Sequence, residues 1–267
     1  MNSKHGLYTY GIVGKSPEQL DILGIDKKSK VYPVEGRGIC VMVSEIDVDT
    51  FQDQVKHLLS ELTKTTAAAQ SETILQAHED VVDTLMKGTT VVPFKFGTIL
   101  KDEKAASKLL QDDEEQFKKL LSKFSGRAEW GLKVYADNQE FTKHIVQLEP
   151  KFKNLEEKRE KLSRGAAYLL GRKMEEELKD SVIARLAKVT EVIFQELGKA
   201  AYEAKVNKTL PQKLTSKKKE MILNTVYLVE REKVARFCKQ GKRLVEKYAS
   251  MGLDIEVSGP WPPYSFI

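Results

Sequence analysis

The residues 11–16, Gly-Ile-Val-Gly-Lys-Ser, come closest to a nucleotide-binding motif. They follow a predicted strand and end in Gly-Lys-Ser, as does a P-loop, whose backbone amides and lysine hold phosphates. A P-loop has a further glycine five positions before its second one, and that position here is Thr9. Pro17 also removes a backbone donor. The segment therefore favours a plain strand-to-helix turn, and we expect no cofactor.

His78 is the histidine with the most suggestive surroundings. It lies on the apolar stripe of a predicted helix, and Val82 occupies the position that a second histidine would take in a His-Glu-x-x-His zinc site. The spacing predicts a hydrogen-bonded core histidine and no metal site. Glu79 and Asp80 are expected in solvent, and no nucleophile motif accompanies them. We predict no catalytic residues and a chain that is not an enzyme.

The stretch from Ile74 to Leu100 shows which elements would position these residues. Its first part has helical apolar spacing and ends at Gly88, a natural C-cap. A strand is predicted next, with alternate residues on opposite faces. One face would carry Val92, Phe94 and Phe96, and the other Val91, Pro93 and Lys95. Proline cannot donate to a ladder, so this is predicted to be an edge or bulged strand, covered internally or offered to another protein.

Composition excludes several classes of protein. Of 267 residues, 41% are hydrophobic and 31% charged, and no run approaches the ~18 apolar residues that span a bilayer. The N-terminus is predicted to be a strand rather than a signal peptide, which favours the cytosol and no lipid membrane. Cys40 and Cys238 are expected to be buried free thiols. The net charge of +5 comes from interleaved lysine and glutamate, as on a solvated helical surface.

The chain is predicted to be an α+β protein of two domains, with the boundary near Ser125-Gly126. Residues 1–125 would form an N-terminal mixed α/β domain, and residues 126–267 a second domain with a long inserted helical segment. In the first, a short helix is expected between Ser16 and Gly24. In the second, the segment from about Pro150 to Val206 has coiled-coil-like spacing that favours a helical hairpin. A strand, helix and strand in one sheet should follow.

Two further surfaces are open to more than one interpretation. One predicted helix has a basic face that could touch nucleic acid, formed by Arg236, Lys239, Arg243 and Lys247. A solvated face is favoured, and no nucleic-acid partner is predicted. The segment 259–267 carries three prolines and three aromatic residues. Its prolines would keep it extended. Trp261, Tyr264 and Phe266 could then dock on the chain itself, which is favoured, or form a strap for a partner.

Five segments in order resemble the gas vesicle protein F/L family. They are residues 7–13 (Leu-Tyr-Thr-Tyr-Gly-Ile-Val), the helix–strand run 78–98, residues 129–134 (Glu-Trp-Gly-Leu-Lys-Val), residues 224–229 and residues 259–266. The resemblance covers almost the whole chain. It implies a ferredoxin-like second domain, a location in the cytoplasm and at the gas vesicle, and a structural or assembly role. The implied partners are the hydrophobic major shell protein and other gas vesicle accessory proteins.

The expected partner contacts are aromatic, apolar or edge-forming residues: Phe94, Lys95, Phe96, Trp130, Trp261, Tyr264 and Phe266. The alternative is a ligand-binding regulator or enzyme on a ferredoxin-like scaffold, since that fold hosts many functions. A pocket with convergent polar side chains of perturbed pKa would distinguish this alternative from an assembly protein.

Overall fold

A computed structural model describes residues 5–16, 21–62, 68–212, 215 and 217–267, with the side chains of 61–62 and 68–73 left aside. The strands are β1 (His5–Val13), β2 (Tyr32–Glu35), β3 (Cys40–Asp47), β4 (Val91–Pro93), β5 (Ile99–Leu100), β6 (Arg127–Ala136), β7 (Glu203–Val206), β8 (Glu220–Glu230) and β9 (Leu253–Trp261). The helices are α1 (Val48–Leu62), α2 (Ala68–Gly88), α3 (Glu103–Asp112), α4 (Glu114–Phe124), α5 (Asn138–Leu148), α6 (Pro150–Arg159), α7 (Arg164–Gly198) and α8 (Val234–Ala249).

The chain forms two compact units, each with its own sheet. The first contains the described residues up to Ala128 together with Trp261–Ile267, and the second is Glu129–Pro260. The fold is thus mixed helix and sheet, as the sequence predicted. The segment Trp261–Ile267 belongs by its contacts to the first unit, whereas the sequence predicts it as part of the second domain.

The sheet of the first unit has the order β2-β3-β1-β4, and β5 also pairs with β1. Every pairing in it is antiparallel. Since β3 occupies one side of β1, both β4 and β5 lie along the other. The register of β1 against β3 shifts between Thr9 and Gly11, which is the signature of a β-bulge. Helix α2 packs on this sheet and ends at Gly88, as predicted.

The predicted edge strand is real but much shorter than its apolar pattern suggested. β4 ends at Pro93, and the chain then turns through Phe94–Thr98 before β5 begins at Ile99. Gly97 has φ +83°, a backbone conformation that non-glycine residues rarely adopt. Phe94 and Phe96 therefore do not share a strand face, because a turn rather than a pleated strand sets their directions.

The helix predicted between Ser16 and Gly24 is only partly open to comparison. Residues 17–20 lie outside the described part of the chain. Residues 21–24 are not helical, and Leu23 instead forms an isolated antiparallel bridge with Lys30. The backbone amide of Gly24 also donates to the carbonyl of Ser29 at 2.7 Å. A tight turn ahead of β2 accounts for these last residues.

The sheet of the second unit has the order β7-β8-β6-β9, so β8 and β9 flank β6 and share one sheet, as predicted. Its core combines Trp130, Leu132 and Val134 of β6 with apolar residues of α7 and α8. The helical hairpin also forms, as α6 and α7. Gly171 lies within α7, which is continuous from Arg164 to Gly198. Leu162 lies between the two helices, so the coiled-coil-like spacing of this segment is interrupted there.

Candidate functional site

The first unit contains a buried cluster of polar aromatic residues around His78. The His78 ring is 1% exposed, and its Nδ1 lies 2.9 Å from the hydroxyl of Tyr8. Its Nε2 lies 3.0 Å from the hydroxyl of Tyr264. Tyr10 stacks on the same ring, with centroids 5.9 Å apart. The prediction of a hydrogen-bonded core histidine is therefore confirmed.

Both ring nitrogens of His78 have a tyrosine hydroxyl as a neighbour in this cluster. The Tyr8 hydroxyl, 2.9 Å from Nδ1, also accepts a hydrogen bond from the backbone amide of Gly97 at 3.0 Å. The Tyr264 hydroxyl, 3.0 Å from Nε2, also hydrogen-bonds the carboxylate of Glu79. The cluster is therefore a continuous network of hydrogen bonds that links Tyr8, His78, Tyr264 and Glu79.

Burial sets the charge state of the residues in this cluster. It lowers the pKa of His78 to about 4, against which a hydrogen bond to the Phe94 backbone acts in the opposite direction. It raises the pKa of Glu79, and a hydrogen bond from Tyr264 lowers it in part. Burial also raises the pKa values of Tyr8 and Tyr264, the latter helped by the nearby Glu79 charge. At neutral pH His78 and both tyrosines are uncharged, which suits a structural rather than a proton-transfer role.

A second group of hydrogen bonds links β1 to β3 and to the turn that contains Ile25, between β1 and β2. The Tyr10 hydroxyl lies 2.8 Å from Ser44 Oγ and accepts a hydrogen bond of the same length from the amide of Ile25. Burial raises the pKa of Tyr10 to about 12. Gly24 is closely enclosed here, because a Cβ on it would lie 2.4 Å from Ser44 Oγ. Tyr8 and Tyr10 thus use their hydroxyls to fix the loops that flank β1.

The segment Trp261–Ile267 meets the first unit through its aromatic residues. Tyr264 is half-buried and hydrogen-bonded to His78, and Phe266 is 2% exposed. Lys123 Nζ lies 5.7 Å from the Phe266 ring centroid and donates to the Phe266 carbonyl at 3.3 Å. Trp261 is 47% exposed. Of the two interpretations of this segment, docking on the chain itself is the one observed.

The turn after β4 carries the other three predicted contact residues of this unit. Lys95 is exposed, whereas Phe94 and Phe96 are half-buried. Phe96 packs against Phe51 and His78, while Phe94 meets Phe117 edge to face at 6.3 Å. The two phenylalanines thus hold the turn in place by packing against different parts of the first unit. Lys95, between them in the sequence, is exposed to solvent.

Trp130, the predicted contact residue in the second unit, is 9% exposed. Its ring packs 5.8 Å from that of Phe237. A Cβ on Gly259 would lie 2.9 Å from its ring, so the glycine allows a close approach of the backbone. The indole Nε1 is buried without a hydrogen-bond partner among the described atoms. Sequence reasoning predicted an available aromatic surface here, and the side chain is instead packed.

The cavities of the second unit have contrasting linings. One of about 680 Å³ is lined by residues that include Asp137, Lys219 and Glu220. Another of about 570 Å³ is mostly apolar, with Val146, Phe152 and Met174 in its lining. Within the described ranges, no group of three or more His, Cys, Asp or Glu side chains is placed to hold a metal ion. No helix in those ranges is both long and apolar enough to cross a membrane.

Sequence reasoning missed Tyr8, Tyr10 and Glu79 as parts of the polar cluster. The alternation in β1 placed the two tyrosines on one face and so carried a signal. Their partners lie 15 to 89 residues away in the chain, so local spacing could not identify them. Glu79 was expected in solvent, because a helical wheel does not show that a distant segment covers it.

Comparison with known proteins gives the family. The model of the family described as "Gas vesicle synthesis protein GvpL/GvpF" matches residues 6–267. The chain belongs to this family. Gas vesicle protein F of Microcystis aeruginosa is 26% identical over 271 residues, covering 98% of this chain and 97% of that protein. Gas vesicle protein L1 of Halobacterium salinarum is 23% identical, with 98% and 90% covered. Family membership assigns this chain a gas vesicle-related role.

Two solved structures have the same fold as this family member. The crystal structure of GvpF from Microcystis aeruginosa aligns with a TM-score of 0.68 at 24% identity, over 98% of each chain. That of GvpF from Anabaena sp. aligns with a TM-score of 0.69 at 23% identity, over 98% of this chain and 95% of that one. At this identity the likeness concerns the fold alone.

Proposed function

We propose that this chain is a non-enzymatic component or assembly factor of gas vesicles that binds the hydrophobic shell protein while the vesicle forms. The observation that carries the proposal is the match of the gas vesicle synthesis family to residues 6–267. Other gas vesicle accessory proteins would be further partners. The protein would act in the cytoplasm and at the gas vesicle.

The internal use of the polar side chains supports a binding role over catalysis. The hydroxyls of Tyr8, Tyr10 and Tyr264 and both nitrogens of His78 are engaged in hydrogen bonds within the first unit. Burial holds the pKa of His78 near 4, so the ring is a poor base near pH 7. These features favour an assembly protein over the alternative of an enzyme or ligand-binding regulator.

Of the seven proposed contact residues, Lys95 and Trp261 are the ones we assign to the partner surface. Both are exposed, and both lie next to a firmly anchored neighbour. Phe94 and Phe96 would hold the Lys95 turn in place. Tyr264 and Phe266 would similarly hold the segment that carries Trp261. Trp130 would support the second sheet from within. An exposed tryptophan beside rigid structure is a favourable anchor for an apolar partner.

We also infer that the second unit is ferredoxin-like. Its elements alternate as strand, helices, two strands, helix and strand, and the sheet order β7-β8-β6-β9 supports that topology. The hairpin α6–α7 would then be an insertion in the first crossover. A boundary between two domains near residues 125–126 belongs to the same proposal.

The test is to dilute unfolded shell protein into buffer that contains the purified chain. We expect a complex on size exclusion and a delay in shell-protein aggregation, measured by light scattering. Trp261→Ala and Lys95→Glu should each shorten the delay. Leu59→Ala, at a residue 58% exposed on α1, should leave it unchanged. Absence of both the complex and the delay would overturn shell-protein binding. Probing washed vesicles for the chain separates a resident component from a transient factor.

A further inference from the structure

The segment Pro262–Ile267 occupies a groove of the first unit through two anchored side chains. Its own backbone closes a short turn, in which the amide of Tyr264 donates to the carbonyl of Pro262 at 2.8 Å and that of Phe266 to Pro263 at 3.1 Å. Pro262 and Pro263 are themselves buried. The segment is thus a compact peptide with a local shape of its own.

The first anchor is Tyr264, whose hydroxyl meets a built polar site. It lies 3.0 Å from Nε2 of His78 and also hydrogen-bonds Glu79. The ring lies nearly parallel to that of His78, at 29° with centroids 6.4 Å apart. His78 is 1% exposed and is fixed from the far side by Tyr8. A peptide side chain is recognised here by both a hydrogen-bonding pair and an aromatic face.

The second anchor is Phe266, which is 2% exposed. Lys123 contacts it twice, through the ring face at 5.7 Å and through its carbonyl at 3.3 Å. The same ammonium lies 6.0 Å from the ring of Phe124. An ammonium near two aromatic rings that also donates to a peptide carbonyl gives a pocket for one aromatic residue of a short turn. The two anchors are two positions apart, so a short peptide satisfies both.

We propose that this groove is a peptide-binding site and that the equivalent segment of a second copy of the chain can occupy it by exchange. The occupant is a proline-led peptide with tyrosine and phenylalanine two positions apart. The groove contacts two side chains and one carbonyl of the peptide. The same contacts can form whether the peptide belongs to the same copy of the chain or to a second copy. The prolines limit the conformational freedom that the peptide loses on binding. This proposal is independent of shell-protein binding.

The segment attached to the same chain competes with any peptide added from outside. Such a tethered ligand has a high effective concentration, of the order of millimolar for short flexible linkers. The intact chain should therefore bind an added peptide weakly. Substitutions that weaken the internal segment but leave the groove intact should uncover the site.

The experiment measures binding of a fluorescent peptide with the sequence of residues 261–267 by anisotropy. The full-length chain carrying Tyr264→Ala and Phe266→Ala should bind it at least tenfold more tightly than the unsubstituted chain. Adding Lys123→Ala to that chain should weaken binding about tenfold. Lys119→Ala, at an exposed residue of the same helix, should leave it unchanged. A peptide with alanine in place of its tyrosine should also bind about tenfold more weakly.

A mixing experiment tests the second copy as occupant. A chain with the substituted segment and an intact groove is mixed with one that carries His78→Ala and an intact segment. We expect a one-to-one complex by native mass spectrometry, whereas each chain alone should be monomeric. If the double substitution prevents folding, Tyr264→Phe replaces it, with an expected gain of about threefold in peptide affinity. A folded variant that binds neither the peptide nor the second chain would overturn the proposal.

Discussion

At the scale of residues, one histidine organises the first unit. His78 hydrogen-bonds Tyr8 and Tyr264, whose positions in the chain are 70 and 186 residues away. Buried polar groups of this kind stabilise a fold only while all partners are present, because an unpaired buried group retains its full desolvation cost. The sequence predicted that His78 is buried, from its position on an apolar helical stripe, but not that two tyrosines satisfy it.

His78→Ala should lower the free energy of unfolding by about 2–4 kcal/mol, because it removes one hydrogen-bond partner from each of two tyrosine hydroxyls and opens a cavity. Urea unfolding followed by circular dichroism measures this. The matched control is His57→Ala on the exposed face of α1, which should change the free energy by less than about 0.5 kcal/mol. Equal effects of the two substitutions would contradict the structural role of His78.

The lowered pKa of His78 predicts that the stability of the protein depends on pH. His78 has a pKa of about 4 when folded and 6.5 when unfolded, so between these values the unfolded chain binds more protons there. The contribution of His78 to the free energy of unfolding is full above pH 6.5. It falls by about 3 kcal/mol as the pH is lowered towards 4. The raised pKa of Glu79 acts in the opposite direction, so the comparison is with His78→Gln, which retains Glu79. Parallel stability curves for the two proteins would exclude this contribution.

At the scale of elements, the sequence predicted the kinds of element better than their lengths. The apolar alternation after Val91 predicted one strand up to Leu100, but the strand stops at Pro93. A turn replaces the rest of the predicted strand. Two hydrogen bonds hold it: the amide of Phe94 donates to the Tyr10 carbonyl, and the amide of Gly97 donates to the Tyr8 hydroxyl. Phe94 and Phe96 are half-buried in the turn, and alternate apolar residues can be buried in a turn as in a strand, so alternation alone could not distinguish the two.

Gly11→Ala should disrupt the pairing of β1 with β4. A Cβ on Gly11 would lie 2.7 Å from both Val91 Cγ1 and the Val92 carbonyl oxygen, so the edge strand would have to move. We expect a loss of about 2 kcal/mol or more, as for other overpacked sites, measured by urea unfolding. Gly14→Ala is the control, because a Cβ on Gly14 would lie 4.0 Å from Leu121 Cδ1 and would make no close contact. Similar losses for both would contradict the close approach at Gly11.

Gly171→Ala should stabilise the protein. Gly171 lies inside α7, and a Cβ there would make ordinary contacts with Arg159 at 3.6 Å or more. Alanine in a helix interior is favoured over glycine by about 0.8–1.0 kcal/mol, so the midpoint of thermal unfolding should shift to a higher temperature. Gly252→Ala provides the contrast, since its φ is +77° and its Cβ would lie 2.7 Å from Glu140 Cβ. A loss of stability at position 171 would show that the helix is not continuous there.

At the scale of the whole molecule, the chain returns at its end to the unit in which it began. Residues 261–267 begin at the last residue of β9 in the second sheet, yet they count among the residues of the first unit. The aromatic residues of this segment predict that it docks on the chain itself, but the local sequence does not show where. The first unit is therefore completed by residues from both ends of the sequence.

Phe266→Ala should therefore weaken the first unit specifically. Removing a fully buried phenylalanine costs about 3–5 kcal/mol. Hydrogen exchange measured by mass spectrometry should show lost protection in β1 and α2, with β6 and β8 little changed. Ile267→Ala, at a residue 51% exposed, is the matched control. Loss of protection confined to β6 and β8 would contradict the assignment of this segment to the first unit.

The sequence by itself determined the mixed helix and sheet character, the buried histidine, the helical hairpin and the resemblance to the gas vesicle protein F/L family. These follow from local periodicity and from segments that can be recognised within a few residues. Only the tertiary structure decided the partners of His78, the end of β4 at Pro93, the packing of Trp130 and the groove for residues 262–267. Each depends on contacts between residues far apart in the chain, which local spacing does not encode.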